Sequence, residues 1–158
     1  MSEIKVVSFK IADEEYALDI MKIDSIIEVK KIIKVPQAPS FVKGIMDFRG
    51  TVIPVISGKK KFALSDEEEK SDKAIVVNIK DKKIAILVDE VKEVLTFSQN
   101  DLEEPPEEIT SASNRYISAI ANINGRMIIV LDIDKLLSEK EREMISNLNT
   151  ENNVTEGR

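Results

Sequence analysis

The sequence predicts an all-β protein assembled from two similar half-size units. Three observations carry this: β-branched apolar runs recur along the chain, turn signals separate them, and the runs repeat in order at a near-constant displacement. In chain order the runs are KVVSFKI, EYALDI, KKIIKV, GTVIPVI, KAIVVNI, KKIAILV, EVLTF, YISAIANI and RMIIVLDI. Short strands at this spacing suggest barrels or sandwiches and not alternating β and α units. Turns are predicted at Ala12–Glu15, Phe48–Thr51, Lys80–Lys83 and Ile123–Arg126. The last holds Asn124-Gly125, the strongest short hairpin signal, because both central residues of a type I′ turn need positive φ.

The repeat has two parts. Moving from Gly50 to Gly125, a shift of 75 positions, also carries Ile45, Phe48, Ile53 and Val55 onto Ile120, Ile123, Ile128 and Val130. A shift of 68 positions carries Leu18, Ile20, Ile23, Ile26 and Ile27 onto Ile86, Val88, Val91, Val94 and Leu95. A unit of about 70 residues buries too small a fraction of its surface to stand comfortably alone. The two units are therefore expected to pack into one body with a groove at their junction.

Two kinds of segment read as non-strand. From Asp134 onward, Leu136, Leu137, Met144, Ile145 and Leu148 fall near one helical stripe, with Asp134 and Ser138 as candidate N-caps. A C-terminal helix is expected there, in a domain spanning residues 1–148, followed by a flexible tail at 149–158. The acidic stretches Ser65–Lys73 and Gln99–Asn114 read as solvated connections.

Composition narrows the function. The 158 residues contain no Cys and no His, which removes thiol nucleophiles, disulfides, zinc sites built on those ligands and imidazole catalysis. No cofactor or metal is expected. A formal charge of −6 repels phosphate backbones, and with 4% aromatics and no Trp a stacking platform is missing, so no nucleic-acid partner is expected despite Lys59–Lys61. Apolar runs such as Met127–Leu131 fall far short of the ~20 residues a membrane span needs, and the first residues show no secretory pattern. A cytoplasmic location without direct membrane insertion follows as an expectation.

Enzyme readings find little support. Asp19, Asp47, Asp89 and Asp132 sit at strand ends, where Asp usually caps a turn; a hydrolase would need two of them converging in a cleft. Ser57 has no His to activate it, and the following Gly58-Lys59-Lys60 lacks the remainder of a phosphate loop. What remains are apolar residues and one polar anomaly. Ile20, Ile23, Ile26 and Ile27 are spaced like one face of a helical turn although strands flank them, and they serve either as core or as the lining of the groove. Arg49, beside Gly50 at a hairpin tip, is either a solvated turn residue or a brace whose guanidinium pairs with a nearby carboxylate. Composition does not decide between these.

At these residues the sequence resembles the CheW family of chemotaxis coupling proteins. The blocks FVKGIMDFRGTVIPVIS, IAILVDEVKEVL and YISAIANINGRMIIVLDIDKLL match the family's motifs in order, from about Val6 to Leu137. The resemblance implies two intertwined five-stranded barrels of the Src homology 3 kind with a C-terminal helix. It also implies a non-enzymatic adaptor that couples methyl-accepting chemoreceptors to the histidine kinase CheA, recruited to membrane receptor arrays. Carried over by position, Val7, Ile20, Ile23, Ile26, Val91 and Arg49 belong to the receptor-binding groove, and Ile32, Val35, Gly44 and Val52 to the kinase contact. This chain departs from the pattern at Asp47, where Asn is usual, at Ser57 and Gly58 in place of Asp-Leu, and at Ala119 in place of Gly. Ser25 replaces a Glu of some relatives, leaving Asp24, Glu28 and Asp47 as candidate partners for Arg49. A regulatory barrel for another kinase or scaffold would share the same features.

Overall fold

The computed structural model describes residues 3–64, 71–109 and 115–146. Eleven strands form two sheets: β1 (Glu3–Ile11), β2 (Glu14–Asp19), β3 (Ile23–Glu28), β4 (Val42–Phe48), β5 (Thr51–Ser57), β6 (Lys73–Ile79), β7 (Lys82–Leu87), β8 (Glu90–Ser98), β9 (Leu102–Glu103), β10 (Ile117–Ile123) and β11 (Arg126–Leu131). The first sheet has the order β8-β1-β2-β11-β10-β9 and the second β3-β6-β7-β5-β4. Both are antiparallel except where β11 meets β2 and β5 meets β7.

The repeat carries through to the strands. A shift of 75 carries β4 onto β10, and a shift of 68 carries β2 onto β7 and Ile23 of β3 onto Val91 of β8. Under this correspondence the order β3-β6-β7-β5-β4 becomes β8-β1-β2-β11-β10, so the two sheets have one architecture. Each sheet nevertheless takes its first hairpin from one half of the chain and its other strands from the other half. Neither barrel is therefore a continuous piece of sequence.

Four two-residue hairpin loops, Ala12-Asp13, Arg49-Gly50, Lys80-Asp81 and Asn124-Gly125, have positive φ at both positions, from 49° to 84°. This geometry matches the twist of the flanking strands, which is why tight hairpins adopt it even where the residue is not Gly or Asn. The first sheet has six strands instead of the expected five. The extra one, β9, arises in a stretch read as solvated connection, because Leu102 packs into the first barrel beside Ala121, its ladder partner.

Apolar side chains divide among three clusters. Val6, Ala17, Phe97, Ala121, Ile128 and Val130 fill the first barrel, and Phe48, Ile53, Val55, Val76, Ala85 and Leu87 lie in the second. The largest cluster lies between the sheets, joining Phe9, Ile11, Tyr16 and Leu18 of one to Ile56, Ile75, Val77, Ile84 and Ile86 of the other. Central strands are thus buried on both faces, which makes β6, β7 and β11 read as unbroken apolar runs and not as alternation. The C-terminal segment closes the seam with Ile133, Leu136, Leu137 and Ile145.

The C-terminal helix begins at the later of the two candidate N-caps. Asp134 lies in a 3-10 turn over Ile133–Lys135, and helix α2 occupies 139–146; helix α1 is Gly58–Lys61. Ser138 is the N-cap: its hydroxyl accepts from the Glu141 amide at 3.1 Å, while the Glu141 carboxylate accepts from the Ser138 amide at 2.8 Å. This reciprocal capping box fixes the start. Leu148 and the expected tail at 149–158 lie outside the described residues, as does most of the acidic loop read at Ser65–Lys73.

Candidate functional site

The helix-like spacing of Ile20, Ile23 and Ile26 has a different origin. Ile20–Lys22 is a single 3-10 turn, begun by the Asp19 carboxylate, which accepts from the Met21 amide at 2.9 Å. Ile23 and Ile26 follow in β3. In a regular strand, residues three apart point to opposite faces, yet Ile23 opposes Val77 and Ile26 opposes Ile75, both seam residues. A bulge between Ile23 and Ser25 adds one residue, Asp24, and turns both isoleucines to the same face.

Strand β8 repeats this arrangement. The register slips between Ser8 and Phe9, so that Val91 opposes Phe9 and Val94 opposes Val7, with Lys92 as the extra residue. Asp24 and Lys92 are related by the 68-residue shift, as are Ile23 with Val91 and Ile26 with Val94. Each sheet thus ends in a bulged edge strand that presents two apolar residues on its seam-facing side. Ile23 and Val91 are half-buried against the common core, while Ile26 is 49% and Val94 58% exposed.

The structure gathers the expected groove residues around this seam, though not in equal roles. Val7 is 4% exposed and forms floor, flanked by Leu18 and Val94. Ile20 is 37% exposed on the turn that touches both β1 and β6. Sequence reasoning missed Val94 and the 82% exposed Met21. The signal for Val94 was present, since the same shift that aligned Ile23 with Val91 pairs Ile26 with Val94.

Arg49 is tied to the β3 bulge. One terminal nitrogen donates to Asp24 Oδ1 at 3.3 Å and the other to Ser25 Oγ at 2.9 Å, and the guanidinium carbon lies 4.7 Å from the Phe48 ring centre. Among the candidate carboxylates it is Asp24 that pairs; Ser25 supplies a hydroxyl where a Glu was the alternative. Asp24 is held more firmly by Lys83, whose ammonium donates at 2.6 Å. Lys83 first, then the Ser25 hydroxyl, keeps the Asp24 carboxyl below its ordinary range, with Arg49 contributing less. About 70% of the Arg49 side chain remains in solvent.

The expected kinase-contact residues lie on the second barrel. Ile32 and Gly44 meet directly, because the main chain at Ile33 crosses β4 there: Ile33 and Ile45 exchange backbone hydrogen bonds at 2.9 Å. A Cβ on Gly44 would stand 2.1 Å from the Ile33 carbonyl oxygen, so this glycine is required by close backbone approach. Val52 sits on β5 opposite Asp47, half-buried; Val35 is half-buried in the connection to β4. Beside them Ile33 is 49% exposed and shares an open recess with Met46 and Asp47.

Among the described residues most of the candidate catalytic side chains cap turns or helices. Three of the four strand-end aspartates accept a backbone amide hydrogen, Asp19 from Met21, Asp89 from Ala12 and Asp132 from Asp134. Ser57 accepts from the Lys60 amide as the N-cap of α1. Among the described residues no group of three or more acidic side chains could hold a metal ion, and no helix is long and apolar enough to cross a membrane. Two of the three lysines in the basic run are paired internally, Lys59 with Asp89 and Lys61 with Glu141.

Comparison with known proteins agrees with this geometry. The family model described as a CheW-like domain matches residues 5–141. The chemotaxis protein CheW of Treponema pallidum is 34% identical over 151 residues, covering 92% of this chain and 89% of the relative. That of Thermotoga maritima is 34% identical over 142 residues, covering 88% and 91%. The crystal structure of scaffolding protein TtCheW from Thermoanaerobacter tengcongensis superposes with a TM-score of 0.82 at 33% identity, covering 91% of this chain and 99% of that one. With its paired barrels, bulged edge strands and family motifs in order, this chain belongs to the CheW-like domain family of chemotaxis scaffold proteins.

Proposed function

We propose that the protein is a non-catalytic adaptor that couples methyl-accepting chemoreceptors to the histidine kinase CheA and is recruited to membrane receptor arrays. The observation that carries this reading is the matched pair of apolar walls, Ile23 and Ile26 on β3 and Val91 and Val94 on β8, whose outer members remain about half exposed. Leaving a large aliphatic side chain in water forgoes about 1.5–3 kcal/mol that burial would return, so such a pair is suited to a partner's apolar stripe. A helical hairpin of a receptor tip fits between two walls of this kind, with the exposed Arg49 on the rim setting register. The regulatory domain of CheA engages the separate surface around Ile32, Val35, Gly44 and Val52, where Ile33 supplies exposed apolar area.

Co-sedimentation tests the bridge. Kinase is expected to pellet with receptor-bearing membranes in proportion to added adaptor. Kinase that pellets equally without it, or adaptor that stays in the supernatant, overturns the reading.

A further inference from the structure

Away from the seam groove and the kinase surface, a recess of about 130 Å³ opens between the β6–β7 hairpin and α2. Its floor is apolar, formed by Ile79, Ile84 and Ile145, all buried members of the seam core. Its rim carries Lys80, Lys82 and Arg142, and no carboxylate lines it. We propose that this recess is a binding site for a compact apolar carboxylate.

The cations of the described residues divide into paired and unpaired ones, and the rim gathers three of the unpaired. Lys22, Lys59, Lys61, Lys73 and Lys83 are each paired with an acid, and Arg126 with two. Among the described residues Lys80, Lys82 and Arg142 have no such partner. The Arg142 Nε–H is shielded from solvent and has no acceptor. A buried donor left unmet is costly, so a turn of the Arg142 side chain that brings this one to a ligand oxygen at the recess is favoured. A guanidinium edge presents two parallel donors, which a carboxylate accepts together. Glu139 and Glu143 form no ion pair with Arg142; they line an adjoining recess that shares Arg142 and Ser146 with this one.

Size sets the rest of the ligand. Apolar cavities of ~150 Å³ accommodate benzene. The apolar part is therefore a single ring or a short branched chain, with the carboxylate at its mouth. Such chemistry comes either from a small free acid or from the terminal leucine or isoleucine of a peptide.

The test uses the whole chain, with methyl and Arg side-chain nuclear magnetic resonance as the readout. 4-Methylpentanoate is the probe, 4-methylpentanamide the neutral control, and a tripeptide ending in leucine, free or amidated, the second arm. The acid is expected to shift Ile79, Ile84, Ile145 and the Arg142 Nε–H saturably in the millimolar range, on the order of what its roughly eight heavy atoms deliver. The amide should bind at least about tenfold more weakly, and Arg142→Gln should erase that preference without moving the unfolding midpoint. Tighter binding of the free tripeptide than of the acid assigns the source to a chain terminus, and weaker binding to a small acid; either supports the site. Equal binding of acid and amide to the wild-type protein, or acid-induced shifts confined to other residues, overturns the proposal.

Discussion

The two edge strands that wall the seam, β3 and β8, are repeats of one another, and each is braced by an arginine placed at a hairpin turn. Arg126, just after the Asn124-Gly125 turn, donates from Nε to Glu15 Oε1 at 2.9 Å, from one terminal nitrogen to Glu15 Oε2, and from the other to Glu93 on β8 at 2.8 Å. It fastens β2, β8 and β11 together, and only 14% of the Glu15 side chain is exposed. Arg49, in the turn of the other barrel, holds β3 through single bonds to Asp24 and Ser25 and stays largely in solvent, while Lys83 is the principal partner of Asp24. One barrel thus spends its arginine on the fold. The other keeps its arginine at the surface, where a partner can use it.

Substitutions at equivalent positions break or sharpen this comparison. The largest effect is expected at Gly44, whose counterpart under the 75-residue shift is Ala119; the ladder slips at both places. In the second barrel the Ile33 carbonyl occupies the space a Cβ would need, so Gly44→Ala should cost about 3 kcal/mol in urea unfolding. The mirrored change, Ala119→Gly, should cost less than about 1 kcal/mol, through backbone entropy and a lost methyl group. Equal costs would show that the two bulges are packed alike.

Next comes Arg126→Ala, with a loss on the order of 1 kcal/mol after allowance for solvent screening of a partly exposed pair. Its pH dependence follows from Glu15, whose carboxyl is held below the ordinary carboxylate range, chiefly through the hydrogen bond from Arg126. A depressed carboxyl pKa contributes stability above the unfolded value and loses it as pH falls through the folded one. The gap between wild type and Arg126→Ala should therefore be full near neutrality and close on acidification below about pH 4.5. A gap that widens in acid would mean that Arg126 acts by packing and not by charge. The smallest effect on stability is expected for Arg49→Ala: an unfolding midpoint indistinguishable from wild type, with weakened receptor association. A lowered midpoint would place Arg49 alongside Arg126 as a structural staple.

Much of the architecture could be read from the chain. The shifts of 68 and 75 residues identified strands that prove equivalent, and Asn124-Gly125 marked its hairpin. The exchange of hairpins between barrels was not visible in the repeat, which shows which strands resemble each other and not which ones pair; the intertwining was expected only from the family resemblance. The Ile23–Ile26 spacing suggested a helical turn because a bulged strand and a helix both bring residues three apart onto one face. Ala12-Asp13 and Lys80-Asp81 carry no Gly, so their tight turns rest on the twist of the flanking strands. For the site, periodicity showed apolar positions but not their depth: Val7 reads like its neighbours, yet it is floor, while Val94 stands exposed.

We propose that the seam walls are one surface with one partner, distinct from the surface around Ile32, Val35, Gly44 and Val52. Calorimetric titration of the Ile26→Asp/Val94→Asp double variant tests this most directly, because both side chains are exposed and their replacement leaves the core intact. Affinity for a soluble receptor fragment should fall by about a hundredfold or more, and affinity for the kinase regulatory domain should stay within about twofold. Parallel loss toward both partners, or unchanged receptor binding, would contradict it.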